Sequence, residues 1–204
     1  MKVNAGQTVA IVGPTGAGKS TIVNLLCRFY EPVEGEILID GKDYREYSMG
    51  YLHENLGYVL QTPQLFEGSI ADNIRYGKEN ASFEEIVNAA KTVGAHDFIA
   101  DLEKGYNTWI GGTDGISLST GEKQLLSFAR AIIRKPKIFV LDEATSSIDT
   151  EMEKTVQKAT DKVLKGNTGF VIAHRLSTIT DADIIILVDR KSTRLNSSHA
   201  LASR

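Results

Sequence analysis

The stretch of sequence that decides the fold reads GPTGAGKST and runs from Gly13 to Thr21. It matches the pattern G-x-x-x-x-G-K-[ST], in which a glycine-rich loop surrounds phosphate groups with backbone N–H donors. A short apolar strand pattern, Thr8 to Val12, comes directly before it. Residues Gly18 to Tyr30 follow with the 3.6-residue apolar spacing of a helix, which Pro32 ends. This order of strand, loop and helix is the context in which the motif binds a polyphosphate.

The residue types in this loop suit phosphate chemistry. Glycines allow positive φ angles and close approach to an anion, and the following helix directs its positive N-terminus at the phosphates. Lys19 supplies a charge for the β and γ phosphates, and the Ser20 hydroxyl a ligand for Mg²⁺. A glycine turn that only joins strand to helix is the weaker interpretation. The predicted nucleotide-binding residues are Gly13, Pro14, Thr15, Gly16, Ala17, Gly18, Lys19, Ser20 and Thr21.

A second anionic element ends the apolar stretch IFVLDE, Ile138 to Glu143. Asp142 would hold Mg²⁺, and Glu143 would orient or deprotonate an attacking water. Taken alone, the pair could equally be an acidic cap at a strand end. Beside a phosphate-binding loop, the catalytic interpretation is favoured.

The order of the remaining patterns predicts the fold class. After Lys137 the patterns alternate: a strand, a polar helix from Thr150 to Leu164, and strands at Gly169–His174 and Asp183–Val188. Near-continuous apolar strands alternating with helices predict an α/β P-loop NTPase with a mainly parallel, buried sheet. Helical patterns between about Ser69 and Arg134 predict an inserted helical subdomain. The expected division is a nucleotide-binding domain at 1–188, with an α/β core at 1–61 and 136–188 and a helical subdomain at about 62–135.

Composition excludes several other classes of protein. The 204 residues include 23 basic and 26 acidic ones, for a net charge of −3, so we expect no nucleic-acid partner. The longest aliphatic run, Ile184 to Val188, is far below the roughly 18 to 20 residues of a membrane span. The single cysteine, Cys27, excludes an internal disulfide framework and is predicted to be a small core residue. The first residues lack a signal-peptide pattern, which favours a cytosolic compartment.

The last stretch, residues 189–204, has neither periodicity nor enough apolar residues to bury, so it is predicted to be an unstructured tail. Within it, Asp189 to His199 resembles the conceptual translation of a sequencing adapter. We hypothesise that the native chain ends near Val188 and that an assembly artefact supplies the rest. The codons at these positions in the nucleotide sequence would decide this.

With these motifs in order, residues from about Asn4 to Val188 resemble the nucleotide-binding domain of exporter-type ATP-binding cassette (ABC) transporters. The stretch LFEGSIADNIRYG, Leu65 to Gly77, is similar to the exporter subfamily, where this region packs against coupling helices of a transmembrane domain. The other matching motifs are Gln61 for the Q-loop, LSTGE (Leu118–Glu122) for the signature, SSID (Ser146–Asp149) for the D-loop, and His174 for the switch histidine.

The resemblance implies a function and a set of roles. The cofactors are ATP and Mg²⁺; the partners are a second nucleotide-binding domain, in a homo- or heterodimer, and a transmembrane domain. The protein would act at the cytoplasmic face of the cell membrane. The implied catalytic residues are Glu143, His174 and Gln61, and the implied metal ligands are Ser20, Gln61 and Asp142. The signature residues Leu118, Ser119, Thr120, Gly121 and Glu122 would contact the partner's ATP, and Asp149 would communicate across the dimer.

The signature also has its own physical basis. Ser119 and Glu122 form an S-x-x-E capping box in front of an apolar stripe that runs from Leu125 to Ile133, which predicts an exposed helix N-terminus. From the capping box alone, an ordinary capped surface helix would be the preferred interpretation. The order of the other motifs favours the functional one.

The sequence departs from the family pattern in several places. The family has an aromatic residue that stacks on adenine some two dozen residues before the loop, whereas twelve residues precede Gly13 here. Thr120 and Glu122 replace the usual glycine and glutamine, and the loop Ile110–Ser117 lacks an expected glutamate. We expect a chain truncated at both ends.

Three hypotheses follow. The first is an ATP-hydrolysing exporter cassette. The second is a soluble ABC ATPase of the repair or translation type, although no heptad run for a repair-type coiled coil lies between Gly13 and Leu118. The third is that the isolated chain binds nucleotide weakly or does not fold alone, because a bare sheet edge invites aggregation.

Overall fold

The computed structural model describes residues 1–113, 115–142, 150–173 and 176–189, together with the backbone of Asn196–Ser197; the side chains of residues 176 and 177 are not described. The strands are β1 (Thr8–Val12), β2 (Leu38–Ile39), β3 (Lys42–Asp43), β4 (Leu56–Val59), β5 (Gly68–Ser69), β6 (Trp109–Ile110), β7 (Ile138–Asp142), β8 (Thr168–Ile172), β9 (Ile184–Leu187) and β10 (Asn196–Ser197). The α-helices are α1 (Lys19–Leu26), α2 (Met49–Glu54), α3 (Ile70–Arg75), α4 (Phe83–Val93), α5 (His96–Asp101), α6 (Thr120–Ile132), α7 (Thr150–Leu164) and α8 (Leu176–Thr180). Short 3₁₀ turns lie at Tyr44–Glu46 and Gly105–Asn107.

The chain divides into two compact units. As far as they are described, the sheet unit comprises 1–58, 137–143 and 166–204, and the helical unit comprises 59–136 and 144–165. In the described part of the chain, no helix combines the length and the apolar character that a membrane span needs.

The main sheet has the strand order β10-β9-β1-β8-β7-β4. Its five strands from β9 to β4 form a parallel sheet, so the predicted α/β fold with a parallel sheet is confirmed. The central strands are buried along their length because both of their faces are covered. The core of this unit consists of Val9, Ile11, Val23, Cys27, Val140, Phe170, Ile172 and Ile186.

Helix α1 is shorter than the predicted Gly18–Tyr30 segment. It ends at Leu26, because Cys27 caps it and Arg28 adopts a left-handed conformation with φ 54°. The Arg28 guanidinium donates to the carbonyls of Tyr44 and Tyr47, at 3.2 and 2.9 Å. These tertiary contacts stabilise a turn that apolar periodicity alone does not predict.

The tail also differs from its prediction. Asn196 and Ser197, in the segment predicted to be unstructured, pair antiparallel with Leu187 and Ile186 of β9. An edge strand presents unpaired backbone N–H and C=O groups, so a polar segment with no core of its own can still form a ladder there. The adapter hypothesis concerns the origin of this segment and stays a prediction.

The helical unit packs α3, α4, α6 and α7 against one another. The sequence-based division assigns 136–188 to the α/β core, but α7 groups with the helical unit. The reason is that α7 contacts α4 and α6 through a buried face formed by Val156, Ala159, Thr160 and Val163. Helix α6 buries the predicted apolar stripe, including Leu125, Leu126, Phe128 and Ala129.

Candidate phosphate-binding site

The loop after β1 depends on glycines for its shape. Gly13, Gly16 and Gly18 have φ angles of 155°, 74° and 107°. A Cβ added at Gly13 would lie 2.3 Å from the Val188 carbonyl oxygen, whereas one added at Gly18 would meet nothing within 4 Å. Gly13 is therefore required by close approach of the backbone, and Gly18 by its left-handed conformation.

Lys19, in the first turn of α1, is a buried cation. It is 8% exposed, and its Nζ donates to the carbonyl oxygens of Gly13 at 2.8 Å and Pro14 at 3.1 Å. No carboxylate among residues 1–113, 115–142, 150–173 and 176–189 forms an ion pair with it. Burying a cation without an anion is unfavourable, so the loop favours binding of an anionic group beside Nζ.

The N-terminus of α1 is not capped by a side chain. Its N-cap, Gly18, makes no side-chain cap hydrogen bond, and the first turn holds no acidic residue. Helices α4 and α6, by contrast, each begin with a serine capping box and acidic first-turn residues. The first N–H groups of α1 and its dipole therefore favour an anion at this end, where Ser20 and Thr21 are exposed.

Asp142 lies at the same edge of the sheet as the loop. Strand β8 stands between β1 and β7, and Ile172 of β8 is in register with both Ile11 and Asp142. Two strand spacings place the Asp142 backbone about 10 Å from that of Ile11. The loop after β1 and Asp142 at the end of β7 therefore lie at the carboxyl ends of two strands that are separated by β8 alone.

Three predicted site residues lie outside the described residues: Glu143, Asp149 and His174. Glu143 follows Asp142 directly in the chain, and His174 follows Ala173. The Ala173 N–H donates to the Ile11 carbonyl at 3.1 Å, so the described end of β8 reaches the same edge of the sheet.

The remaining predicted residues belong to the helical unit. Gln61 is exposed in a bend after β4. Ser119 is the N-cap of α6: its Oγ accepts from the Glu122 N–H at 3.3 Å, and Glu122 Oε2 accepts from the Ser119 N–H at 2.7 Å. The predicted capping box is present. Leu118 and Gly121 are buried, and Thr120 is exposed.

The donor set fits Mg²⁺ held together with phosphates. Ser20 and Asp142 supply the hard oxygen ligands that this ion prefers. Among the described residues, no group of three or more His, Cys, Asp or Glu side chains could hold a metal by itself. Mg²⁺ is commonly bound through one or two protein oxygens plus substrate phosphates, which is what this arrangement offers.

Sequence reasoning missed two polar residues in the helical unit, Asn73 and Arg130. Asn73 is 2% exposed, and Arg130 donates to it and to Gln64. A signal was available: each interrupts an apolar helical stretch, SIADNI and LLSFARAII, at a position expected to be buried.

Comparison with known proteins gives consistent matches. The sequence model of the family described as ABC transporter matches residues 1–146. The chain is 50% identical over 190 residues to ABC transporter B family member 3 of Dictyostelium discoideum, with 93% of this chain and 13% of that protein covered. It is 52% identical over 186 residues to multidrug resistance protein pgp-1 of Caenorhabditis elegans, covering 91% and 14%. A bacterial Atm1-family ABC exporter with ATP bound matches with a TM-score of 0.84 and 47% identity, over 93% of this chain and 33% of that one.

Proposed function

The chain belongs to the ABC transporter family as an ATP-binding ATPase domain, and from that premise we propose that it drives export of a substrate through an associated or fused transmembrane domain. The chain spans between 13% and 33% of the matched relatives and the matched exporter structure. Transport and the membrane partner are therefore properties of a longer protein. Its nucleotide-binding domain would lie at the cytoplasmic face of the membrane.

One observation carries this proposal: the Lys19 ammonium is buried among the carbonyls of its own loop, at the uncapped N-terminus of α1. When a triphosphate binds, Nζ exchanges carbonyl contacts for contacts with β and γ oxygens. The N–H groups of the first helical turn donate to the phosphates at the same time.

The chemistry we propose is in-line attack of water on the γ-phosphorus. Glu143 orients the water and accepts its proton at a carboxylate oxygen, while the bond from the γ-phosphorus to the β–γ bridging oxygen breaks and ADP leaves. His174 and Lys19 stabilise the charge on the transferring group. Ser20, Asp142 and Gln61 would hold Mg²⁺, which neutralises charge on the phosphate oxygens when bound.

We further propose that two such domains close around two ATP molecules. Ser119 and Gly121 of one domain would contact the γ-phosphate held by the other, and Asp149 would communicate between them. The capping box of α6 supports this role, because it holds the helix N-terminus and the Ser119 hydroxyl in a fixed geometry.

The comparisons favour the exporter over a repair or translation ATPase, because the matched proteins include a B-family transporter, a multidrug resistance protein and an exporter. The hypothesis of an inactive isolated fragment concerns this chain alone. A folding and binding measurement on the chain addresses it directly.

The experiment compares thermal unfolding of the chain with and without MgATP, for the wild type, Lys19→Ala and Lys91→Ala. Lys91 is an exposed lysine of α4 and serves as the matched control. At 100 times Kd, we expect MgATP to raise the Tm of the wild type and of Lys91→Ala by about 5 to 10 °C. Lys19→Ala should show no such rise. Equal Tm shifts in all three proteins would contradict the proposed site.

Testing the catalytic role of Glu143 requires the full-length protein. We expect Glu143→Gln to abolish phosphate release while ATP-dependent pairing of the two domains persists. Substantial hydrolysis by this variant would show that another group activates the water.

A further inference from the structure

A buried polar cluster in the helical unit connects the segment after Gln61 to helix α6. Its centre is Asn73 of α3, which is 2% exposed. Asn73 Oδ1 accepts from the Phe66 N–H at 2.8 Å, and its Nδ2 donates to the carbonyls of Phe66 at 2.9 Å and Ser69 at 3.0 Å. Both backbone groups of Phe66 are therefore held by a single side chain.

Arg130 of α6 completes the cluster. Its Nε donates to the Asn73 carbonyl at 2.9 Å, its Nη2 to Asn73 Oδ1 at 3.0 Å, and its Nη1 to the Gln64 carbonyl at 2.7 Å. The guanidinium also lies over the rings of Phe66 and Tyr76, at 5.0 and 5.6 Å from their centroids. The planar guanidinium can donate several hydrogen bonds and stack on aromatic rings at the same time. A lysine ammonium could not make all of these contacts together.

The cluster restrains the segment that carries Gln61. Gln61 itself is exposed, but Gln64 and Phe66, three and five residues further on, are anchored to α6 through Arg130 and Asn73. The short tether limits the conformations open to the Gln61 backbone. If Arg130 were replaced, the backbone carbonyl and the side-chain carboxamide of the buried Asn73 would each lose a hydrogen-bond partner.

The same helix carries the signature at its other end. Ser119 caps α6, and at a rise of 1.5 Å per residue Arg130 lies about 16 Å along the axis from it. The Arg130 contacts therefore connect the Gln61 segment to the helix that Ser119 caps.

We propose that Arg130 is a positioning residue for Gln61: by holding the Gln64 carbonyl and Asn73, it restrains the backbone that carries the Gln61 side chain. This inference rests on the proposed ATPase function. It adds that the guanidinium at position 130 acts on turnover through Gln61 and not only on folding.

The experiment is a double-mutant cycle in the full-length protein, with ATP hydrolysis measured at several Mg²⁺ concentrations. The variants are Arg130→Met, Gln61→Ala and their combination. The matched control is Arg45→Met, because Arg45 makes an ion pair with Asp43 at the surface, outside the proposed sites. Arg130→Lys provides a second cycle in case Arg130→Met does not fold, since it keeps the positive charge and loses the planar set of donors that contacts Asn73 and Gln64 together.

We expect Arg130→Met to lower kcat about 10-fold and to raise the half-saturating Mg²⁺ concentration several-fold, as loss of an outer-shell partner does at metal sites. Binding of ATP without Mg²⁺ should be unchanged, since Lys19 and α1 provide it. The double variant should be no slower than Gln61→Ala alone. Arg45→Met should match the wild type.

Additive losses in the cycle, or an unchanged Mg²⁺ dependence in the Arg130 variants, would overturn the proposal and leave Arg130 a structural residue. Failure of the ATPase proposal has a different signature. In that case the wild type would not hydrolyse ATP, or Lys19→Ala would hydrolyse it as fast as the wild type.

Discussion

Gly13 is the residue at which steric and conformational demands coincide. Its φ of 155° and the 2.3 Å that would separate an added Cβ from the Val188 carbonyl oxygen both disfavour a side chain. Gly6 has a left-handed φ of 82° and open space where a Cβ would lie. A substitution at Gly6 therefore measures the cost of backbone strain without a steric clash.

We therefore expect Gly13→Ala to lower the free energy of unfolding by about 2 to 4 kcal/mol, as the sum of backbone strain and overpacking. Gly6→Ala should lower it by about 1 kcal/mol through strain alone. Urea denaturation of the chain measures both. Equal losses for the two variants would show that β9 moves to accommodate the added methyl group.

The requirement at Gly13 illustrates what the local sequence can and cannot predict about a residue. The pattern from Gly13 to Ser20 predicts a phosphate loop because all of its chemistry is within a few residues. The contact with Val188 depends on β9 pairing beside β1, through the Val188 N–H that donates to the Val12 carbonyl at 2.8 Å. No local pattern encodes a partner that distant in the chain.

At the scale of the element, two helices carry the same cap. Ser82 with Glu85 starts α4, and Ser119 with Glu122 starts α6; both form complete capping boxes. Ser82 and Ser119 therefore have the same capping role, and only Ser119 belongs to the proposed signature.

We expect Ser82→Ala and Ser119→Ala each to destabilise the chain by about 1 kcal/mol, because each removes one cap to a backbone N–H. In the full-length protein, only Ser119→Ala should slow ATP hydrolysis. Chemical denaturation and steady-state phosphate release give the two quantities. If Ser82→Ala slowed hydrolysis as much as Ser119→Ala did, the loss would reflect helix stability and the trans role of Ser119 would be wrong.

Elements are predicted well where local signals mark both ends. The predicted bounds of α7, Thr150 and Leu164, agree with the structure, and β1 matches as well. The end of α1 does not match, because the left-handed Arg28 is stabilised by carbonyls of Tyr44 and Tyr47 far along the chain. Apolar spacing reports the buried face of a helix and carries little information on a turn fixed by tertiary hydrogen bonds.

At the scale of the whole molecule, strand patterns predict a parallel sheet but not its order. Parallel strands joined by crossovers need not be neighbours, and β8 enters between β1 and β7 although it follows both in sequence. The phosphate loop and Asp142 still reach one edge, because parallel strands bring all their carboxyl ends together. The assignment of α7 to the helical unit likewise depends on packing against α4 and α6, which no single segment encodes.

Cys27 offers a way to follow folding of the sheet unit and its linkage to nucleotide. It is the single cysteine, it is 1% exposed, and it packs with Val9, Val23 and Ile172 in the sheet core. Burial raises the pKa of its thiol to about 12, so almost no thiolate exists at neutral pH in the folded unit. Alkylation of Cys27 therefore requires the sheet unit to open. In the opened state the pKa of the thiol returns toward its ordinary value.

We expect iodoacetamide to modify Cys27 of the folded chain at least about 100-fold more slowly than that of the chain in guanidinium. Under conditions in which reclosing is faster than alkylation, MgATP at 100 times Kd should slow the reaction a further ~100-fold in the wild type, because only the native state binds it. Timed quenching with mass spectrometry measures the rates. Lys19→Ala should keep the basal protection and lose the additional slowing. Rapid modification of the native wild-type chain would contradict the buried environment of Cys27, and an equal ATP effect in Lys19→Ala would place the nucleotide elsewhere than the loop at Gly13.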